Sequence, residues 1–360
     1  MLVIIFKHVY NYFYSNGLFY RYQAGFLPGH STVYQLLETY HNIVQSIDEG
    51  KSCCMIFCDL SKAFDRVWHN GLIFKLQTYG ISGNLLQWFK SYLSHRSQKV
   101  MYKDLLSSKC DISAGVPQGS VLGPLLFLIY VNDVAENMLS LCRLFADDNS
   151  LQQSSYDMFD IEYKLNHDLQ MLETWSNKWL LKFNPSKTEV VYFSRKPSPI
   201  TPTLFFQGDK LECVPVHRHL GLLLSHNLSW SEYISSIVEK AYKKLRLLKK
   251  LKFKIGRKHL SKLYIVFIRP TLEYASTVWD GCSAHDIEKL EKVQLSAARI
   301  VTGLPIFASK ESLYTETGWQ TLQNRRYAAK MLTMFKIYNG YAPPYLNDII
   351  PDKHENVSSL

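Results

Sequence analysis

The sequence predicts an α+β fold in which an α+β half comes first and an almost wholly helical half follows. Three observations predict it. Short β-type runs, "CCMIFCDL", "LCRLF", "NSLQQ" and "TEVVYF", punctuate the first part of the chain, with segments of helical period between them. Beyond His219 the apolar spacing is helical nearly to the end. Hydrophobic residues make up 47% of 360, enough for real cores, and the length suits two or three lobes.

The elements follow in order. An aromatic-rich segment near residues 9–20 reads as helix, and "FLPGHST" as a turn, after which Ser31 or Thr32 can cap a helix through Leu36, Leu37, Tyr40 and Ile43. "CCMIFCDL" is a strand, and "SKAFDRVWHNGLIFKLQTYG" reads helical until Gly80. "QKVMY" and "KCDIS" form a hairpin around Lys103 and Asp104. "GVPQGSVLGPLLFLIYVNDV" is a Gly-rich loop entering a buried helix, with Pro124 tolerated in its first turn. "LCRLF" and "NSLQQ" make a second hairpin, 158–181 a helix, "TEVVYF" a strand and "KPSPITPT" a Pro-rich connection. Later helices run over 286–301, ending at Gly303, and 321–338, ending at Gly340.

Composition narrows the function classes. Seven cysteines (53, 54, 58, 110, 142, 213, 282) contain no C-x-x-C pair, so neither a disulfide framework nor a zinc site is expected, which suits a reducing compartment. "MLVIIF" lacks the basic flank and cleavage site of a signal peptide, and "VLGPLLFLIYV" is too short to span a bilayer. The protein is expected to be intracellular, in cytoplasm or nucleus, and neither secreted nor bound to membrane. A net charge of +10 points to a polyanionic partner. Residues 240–262, "KAYKKLRLLKKLKFKIGRKHLSK", hold eleven Lys or Arg and no acid. Ala241, Leu245, Leu248, Leu251 and Ile255 recur there at helical spacing, so one face packs while Lys243, Lys244, Lys249 and Lys250 offer charge to phosphates.

Three carboxylates stand where chemistry is expected. Asp59 ends the strand "MIFCD", and Asp147 and Asp148 occupy the turn in "LFADDNSL". Asp-Asp-Asn alone is acceptable turn chemistry, and Asp59 alone a helix-entry residue. Adjacent carboxylates repel, however, unless a cation neutralises them. If both elements share one sheet, the carboxylates can converge on two divalent cations, the arrangement that serves phosphoryl chemistry. Side chains alternate along a strand, so Asp147 and Asp148 cannot face the same way; Asp147 is expected to be the principal ligand and Asp148 an auxiliary one.

"FCDLSKAFDRVWH", "GVPQGSVLGPLLFLIYVNDV" and "LFADDNSL", in that order, closely resemble the reverse transcriptases of non-LTR (LINE-type) retrotransposons, jockey-like ones in particular. The resemblance extends back to "QAGFLPGHST" and forward through "LKFNPSKTEVVYFSR", "HRHLGLLLSHNLSW", "RPTLEYASTVWDG" and "NRRYAAKMLTMFKIYNGYAPPYL". It implies a right-hand polymerase: partial fingers over 1–50, a palm with antiparallel sheet and a fingers insertion over 51–215, a primer-support turn and basic helical thumb over 216–262, and a helical C-terminal region over 263–360. By the same resemblance Asp59, Asp147 and Asp148 hold two Mg²⁺ ions, with the Leu60 carbonyl as a further ligand. Phe64 lies under the sugar of the incoming nucleotide and disfavours a 2′-hydroxyl. Gln118 and Gly119 approach nucleotide and template, and Lys187 stands near the pyrophosphate as a general acid. Leu220 and Gly221 support the primer end. An RNA template, a DNA primer and dNTPs are the implied partners.

Two departures qualify the resemblance. Leu27 stands in "GFLPGHST" where such sequences usually carry an arginine. The chain also starts shortly before that block, so the upstream fingers stretch with its phosphate-binding cations is expected to be missing, as in a truncated reading frame. The alternative is therefore a catalytically inactive relic that still binds nucleic acid through its basic helix. A two-metal nuclease could share the carboxylates but has no use for Phe64 and the Gln118–Gly119 pocket.

Overall fold

Six consecutive residues of one strand, Cys53–Cys58, are buried, and that strand (β1, Ser52–Asp59) lies inside a four-stranded sheet. The structure is a computed structural model and describes residues 1–194, 196 and 200–350; residues 197–199 of the Pro-rich connection fall outside the described residues. The other strands are β2 (Leu141–Phe145), β3 (Asp148–Ser155) and β4 (Glu189–Phe193), in the spatial order β2-β3-β1-β4, antiparallel at every step. Helix accounts for 52% and strand for 16% of the described residues. With every neighbouring pair of strands antiparallel, the class is α+β.

The chain divides into two compact units, Met1–Thr32 with Gln45–Val214, and Val33–Val44 with Pro215–Leu360. In the first, Ile56 of β1 faces Leu151 of β3 and Val190 of β4, all fully buried. The helices Gly123–Val131 and Met158–Trp179 cover that face. Gly123–Val131 is buried on all sides, with Pro124 in its first turn where a missing N–H costs nothing. The hairpin around Lys103 and Asp104 is present as two short ladders, Arg96–Gln98 with Cys110–Ile112 and Met101–Tyr102 with Leu105–Leu106.

Three helix assignments need correction. The first helix is Leu2–Ser15 rather than 9–20, because the chain leaves it at Asn16 and Gly17, the latter at φ +61°. The stretch after β1 is not helical from Ser61. Ala63–Asp65 forms one 3₁₀ turn and the α-helix starts only at His69. The backbone between them is committed elsewhere: Val116 N donates to Phe64 O (2.8 Å), Gly115 N to Val67 O (2.8 Å), and Trp68 bridges Ala114. The basic stretch is likewise two helices, Ser231–Leu251 and Arg257–Leu263, separated by Gly256 in an extended conformation (ψ 157°). Glycine is a poor helix former, and the apolar spacing that ran on to Ile255 did not outweigh it.

In the second unit the helices Ser231–Leu251 and Ala284–Thr302 bury Ala241, Leu245 and Leu248 against Val293, Ala297 and Val301. The Ser283 and Thr321 hydroxyls cap their helices by accepting from Asp286 N and Asn324 N. Gly303 closes the longer of the two with φ +75°. Two hairpins, one in each unit, have ladders too short to leave a period in the sequence: Phe205–Phe206 with Asp209–Lys210 in the first, and Val216–His219 with Leu222–Ser225 in the second. Among the described residues no helix is long and apolar enough to cross a membrane. All seven cysteines are free thiols.

One buried charge ties three helices of the first unit together. Lys75, on the helix His69–Thr78, is 3% exposed; its ammonium pairs with Asp133, donates to Tyr130 O and lies 3.8 Å from the Trp179 ring centroid. Trp175 Nε1 donates to the same Asp133 (2.8 Å). Burial pulls the Lys75 pKa down to about 8, against the opposing pull of Asp133. The folded value thus lies below the unfolded one, so between them the unfolded chain holds the proton more tightly. Stability from this group is lost as pH falls through about 8 and recovered as pH rises toward 10.5. The unfolding free energy of wild type relative to Lys75→Met is therefore expected to rise by about 2 kcal/mol from about pH 7.5 to 9.5. Urea melts of both proteins at the two pH values measure it, and a constant difference contradicts it.

Candidate active site

The strand register brings two of the three carboxylates face to face. Asp59, the last residue of β1, is the cross-strand partner of Asp148, the first of β3, so their Cα atoms are about 4.5–5.5 Å apart. Like charges directly opposite on a sheet are destabilising, so another interaction must compensate. Asp147 adjoins them in the two-residue loop that joins Phe145 to its partner Asp148. The loop has positive φ at Ala146 (+57°) and not at Asp147, the pattern of a type II′ turn, whose first position is normally glycine. Here an alanine holds it, with strain of about 1–3 kcal/mol that the surroundings must support.

That support comes from residues 22–25. Gln23 pairs with Leu144 as a parallel bridge: Leu144 N donates to Tyr22 O (3.0 Å) and Ala24 N to Leu144 O (2.9 Å). The Gln23 side chain, 2% exposed, accepts from both Gly25 N (2.8 Å) and Ala146 N (2.9 Å). A Cβ on Gly25 would lie 2.2 Å from Ala146 N, so only glycine allows this approach. Neither Gln23 nor Gly25 was singled out from the sequence, although both stand in the "QAGF" block. Their contact with the turn spans more than a hundred residues and leaves no local signal. Leu27, in place of an arginine, is buried, so its side chain serves the core.

The electrostatics follow the geometry. Burial pushes the Asp147 carboxyl upward, and the charge of Asp59 adds to it. Asp148 is pushed up to about 6, by burial first and then by Asp147 and Asp59. More than a third of Asp148 is open to solvent, so water screens this push and the site keeps much of its negative charge. Lys187, on the 3₁₀ turn Pro185–Lys187, partly answers it with Nζ 3.4 Å from Asp59 Oδ2. That turn is hung on the strand end by Asn184 N, which donates to Asp59 O (2.9 Å), and by the bond from Ser61 N to Lys182 O (2.8 Å). These bonds flank the Leu60–Phe183 bridge and leave the Leu60 carbonyl outside both.

Phe64 is half-buried, stacked on the core ring of Phe127 (centroids 4.3 Å) with the exposed Phe26 ring set edgewise against it (5.9 Å). Gln118 and Gly119 are exposed on the loop paired with Phe64 and Val67. Gln118 Nε2 donates to Asp65 Oδ1 (2.8 Å), and Gly119 adopts φ +74°. A cleft of about 630 Å³ runs past Lys62, Asp65, Gly115 and Gln118.

The other predicted residues lie in the second unit. Leu220 and Gly221 form a two-residue hairpin loop, both at positive φ, and Tyr274 donates to Leu220 O (2.6 Å). Lys243, Lys249 and Lys250 are exposed on the helix Ser231–Leu251. Lys244 differs: its ammonium donates to Phe267 O (2.9 Å) and Thr271 Oγ1 (2.7 Å), an internal tie that helical spacing did not foretell.

The sequence profile of the reverse transcriptase (RNA-dependent DNA polymerase) family matches residues 4–254. The chain belongs to that family. Its reverse transcriptase sequence is 29% identical over 84% of its length to a probable RNA-directed DNA polymerase from transposon BS of Drosophila melanogaster. It is 28% identical over 95% to the one from transposon X-element of the same fly, and 28% over 79% to the one from mobile element jockey of Drosophila funebris. The jockey-like resemblance therefore stands. The chain spans about a third of the length of these relatives, 35%, 37% and 32% respectively. In fold it is similar to apo telomerase from Candida tropicalis, with a TM-score of 0.50 at 12% identity, over 93% of this chain and 54% of that one.

The donor set suits a hard divalent cation: carboxylate oxygens and a backbone carbonyl, with charge in excess at the turn. Among the described residues no three His, Cys, Asp or Glu side chains are gathered round one point in ligating geometry. The fit of Mg²⁺ to this member of the reverse transcriptase family thus rests on charge and donor chemistry, with Lys187 as the present counter-charge to Asp59.

Proposed function

We propose that the chain is the catalytic domain of a non-LTR retrotransposon reverse transcriptase, acting inside the cell to join dNTPs to a primer 3′-hydroxyl along an RNA template. The observation that carries this reading is the Asp59–Asp148 pair with Asp147 beside it, an arrangement of like charge in a chain of this family. In this reading the four-stranded sheet is the palm, residues 1–50 are part of the fingers, 216–262 hold the primer support and thumb, and the helices from 263 onward form a C-terminal region of which residues 351–360 lie outside the described residues. Two Mg²⁺ ions held by Asp59, Asp147, Asp148 and the Leu60 carbonyl would neutralise phosphate charge and acidify the attacking hydroxyl.

The chain's own residues do the rest. Asp147 and Asp148 sit on a turn whose backbone is clamped by Gln23, so their carboxylates are pre-positioned at no cost during reaction. The Lys187 ammonium carries a proton that it can give to the departing pyrophosphate oxygen, since it stands beside Asp59 and is largely exposed. Phe64, rigidly backed by Phe127, offers its ring to the sugar and excludes a 2′-hydroxyl by contact. Gln118 borders the cleft through which nucleotide and template strand would approach, and Gly119 follows it on the same exposed loop. Lys243, Lys249 and Lys250 offer charge to duplex phosphates.

Primer extension on poly(A)·oligo(dT) with dTTP and Mg²⁺ tests the reading. Template-dependent incorporation is expected, and a folded, duplex-bound chain that incorporates nothing contradicts it. In the same assay Phe64→Ala is expected to raise ribonucleotide use relative to deoxynucleotide by about tenfold, a loss of about 1.4 kcal/mol of discrimination. An unchanged ratio would leave Phe64 as a packing residue alone.

A further inference from the structure

The hairpin that rises from one wall of the cleft has an apolar tip that the proposed chemistry does not use. Val100, Met101, Tyr102, Leu105 and Leu106 are 64–76% exposed, far above what chance exposure of single apolar residues leaves in one place. Met101 is opposite Leu106 and Tyr102 opposite Leu105, and successive residues of a strand point to opposite faces. Each face of the tip therefore carries an apolar pair. A surface made to lie against a protein partner or a second copy needs one apolar face; two such faces on a thin ladder make a wedge.

Its charge points to the occupant. Residues 96–112 hold four cations, Arg96, Lys99, Lys103 and Lys109, against Asp104 and Asp111. Apolar side chains flanked by cations are the chemistry that parts stacked bases while holding their phosphates. The position points the same way. The hairpin's lower ladder lines the cleft at Arg96, Gln98 and Ile112, and the same cleft reaches Asp65 and Gln118. The turn at the tip is formed by Lys103 at φ +54° and Asp104, and the two ladders are joined by Ser107, whose hydroxyl accepts from Val100 N (2.9 Å) and whose N–H donates to Val100 O (2.9 Å).

We propose that this hairpin is a strand-separating wedge, whose tip stacks on the end of base-paired template RNA and opens it before copying. The inference rests on the polymerase reading but concerns a separate activity, displacement of a paired strand. Tyr102 supplies the ring face for stacking, Met101, Leu105 and Leu106 fill the space of the displaced base, and the cations hold the backbone of the parted strand.

The test uses the whole chain and two templates of equal length, one unstructured and one with a stable stem ahead of the primer. A 2-aminopurine in the stem reports opening without dNTPs, on a dideoxy-terminated primer. The variants are Tyr102→Ser with Leu105→Ser, and Met101→Ser with Leu106→Ser; all four positions are exposed, so folding should survive. Each is expected to slow copying through the stem by about tenfold, and to leave the unstructured template within about twofold, given base–aromatic stacking of about 1–3 kcal/mol. Each should also lose the 2-aminopurine signal that wild type gives. Equal loss on both templates, or none on the stem, overturns the wedge. So does a variant that changes sedimentation while stem copying is untouched, which assigns the tip to a second copy. If wild type copies neither template yet opens the stem, and the variants do not, the wedge stands and the polymerase reading fails. If wild type copies the open template and the variants match it on the stem, the polymerase reading stands and the wedge fails.

Discussion

Asp147→Asn is expected to reduce primer extension by at least about 10³-fold while leaving duplex affinity unchanged or slightly raised. A cation that stabilises developing charge contributes several kcal/mol, and about 4 kcal/mol corresponds to this factor. The substitution keeps the size of the side chain and removes one charge from a turn already crowded by Asp59 and Asp148, so the fold should gain rather than lose. Phosphate contacts made by cations elsewhere do not pass through Asp147, which is why affinity is spared. Single-turnover extension and filter binding on the same preparation measure the two effects. Wild-type rates in the variant would put the chemistry somewhere else.

The second large effect concerns salt. Changing Lys243, Arg246, Lys249 and Lys250 together to Gln is expected to flatten the slope of log affinity against log salt by up to about 3.6 units on duplex DNA, about 0.9 for each phosphate no longer neutralised. Lys244 is left out because it holds Phe267 O and Thr271 Oγ1; changing it would disturb packing as well as charge. All four chosen residues are exposed on the helix Ser231–Leu251, and Gln keeps helix propensity. An unchanged slope in the folded variant would make this stretch a solvated face that touches no phosphate.

Much of the site was legible because its signals are local. Asp59 closes a β-type run, and Asp147 and Asp148 interrupt another at hairpin spacing, so two short stretches marked the carboxylates, while a shared sheet was what the family resemblance implied. In the register that sets Asp59 against Asp148, the buried Ile56 and Leu151 share one face, and a slip of one residue would turn one strand's set away from the other's. What escaped was carried by distant partners. Gln23 and Gly25 show their role only once Ala146 is set against them. Lys75 carries no mark of burial in its helical stretch, yet it is enclosed by Trp179, Tyr130 and Trp175. The helix expected from Ser61 yielded to pairing of residues 64–68 with 114–116, and the single basic helix yielded to Gly256. In each case a tertiary contact or a backbone preference overrode a periodicity that was real but incomplete.

The central claim is that Asp59, Asp147 and Asp148 act as one cation-holding unit, and counting bound ions tests it most directly. Mn²⁺ in place of Mg²⁺ loses its free-ion EPR signal on binding, so titration of the chain with a dideoxy-terminated primer–template and dTTP gives the number held without turnover. The wild type is expected to hold two ions, and Asp59→Asn and Asp147→Asn at least one fewer each at the same concentration. Equal counts in wild type and both variants, with duplex still bound, would contradict the account.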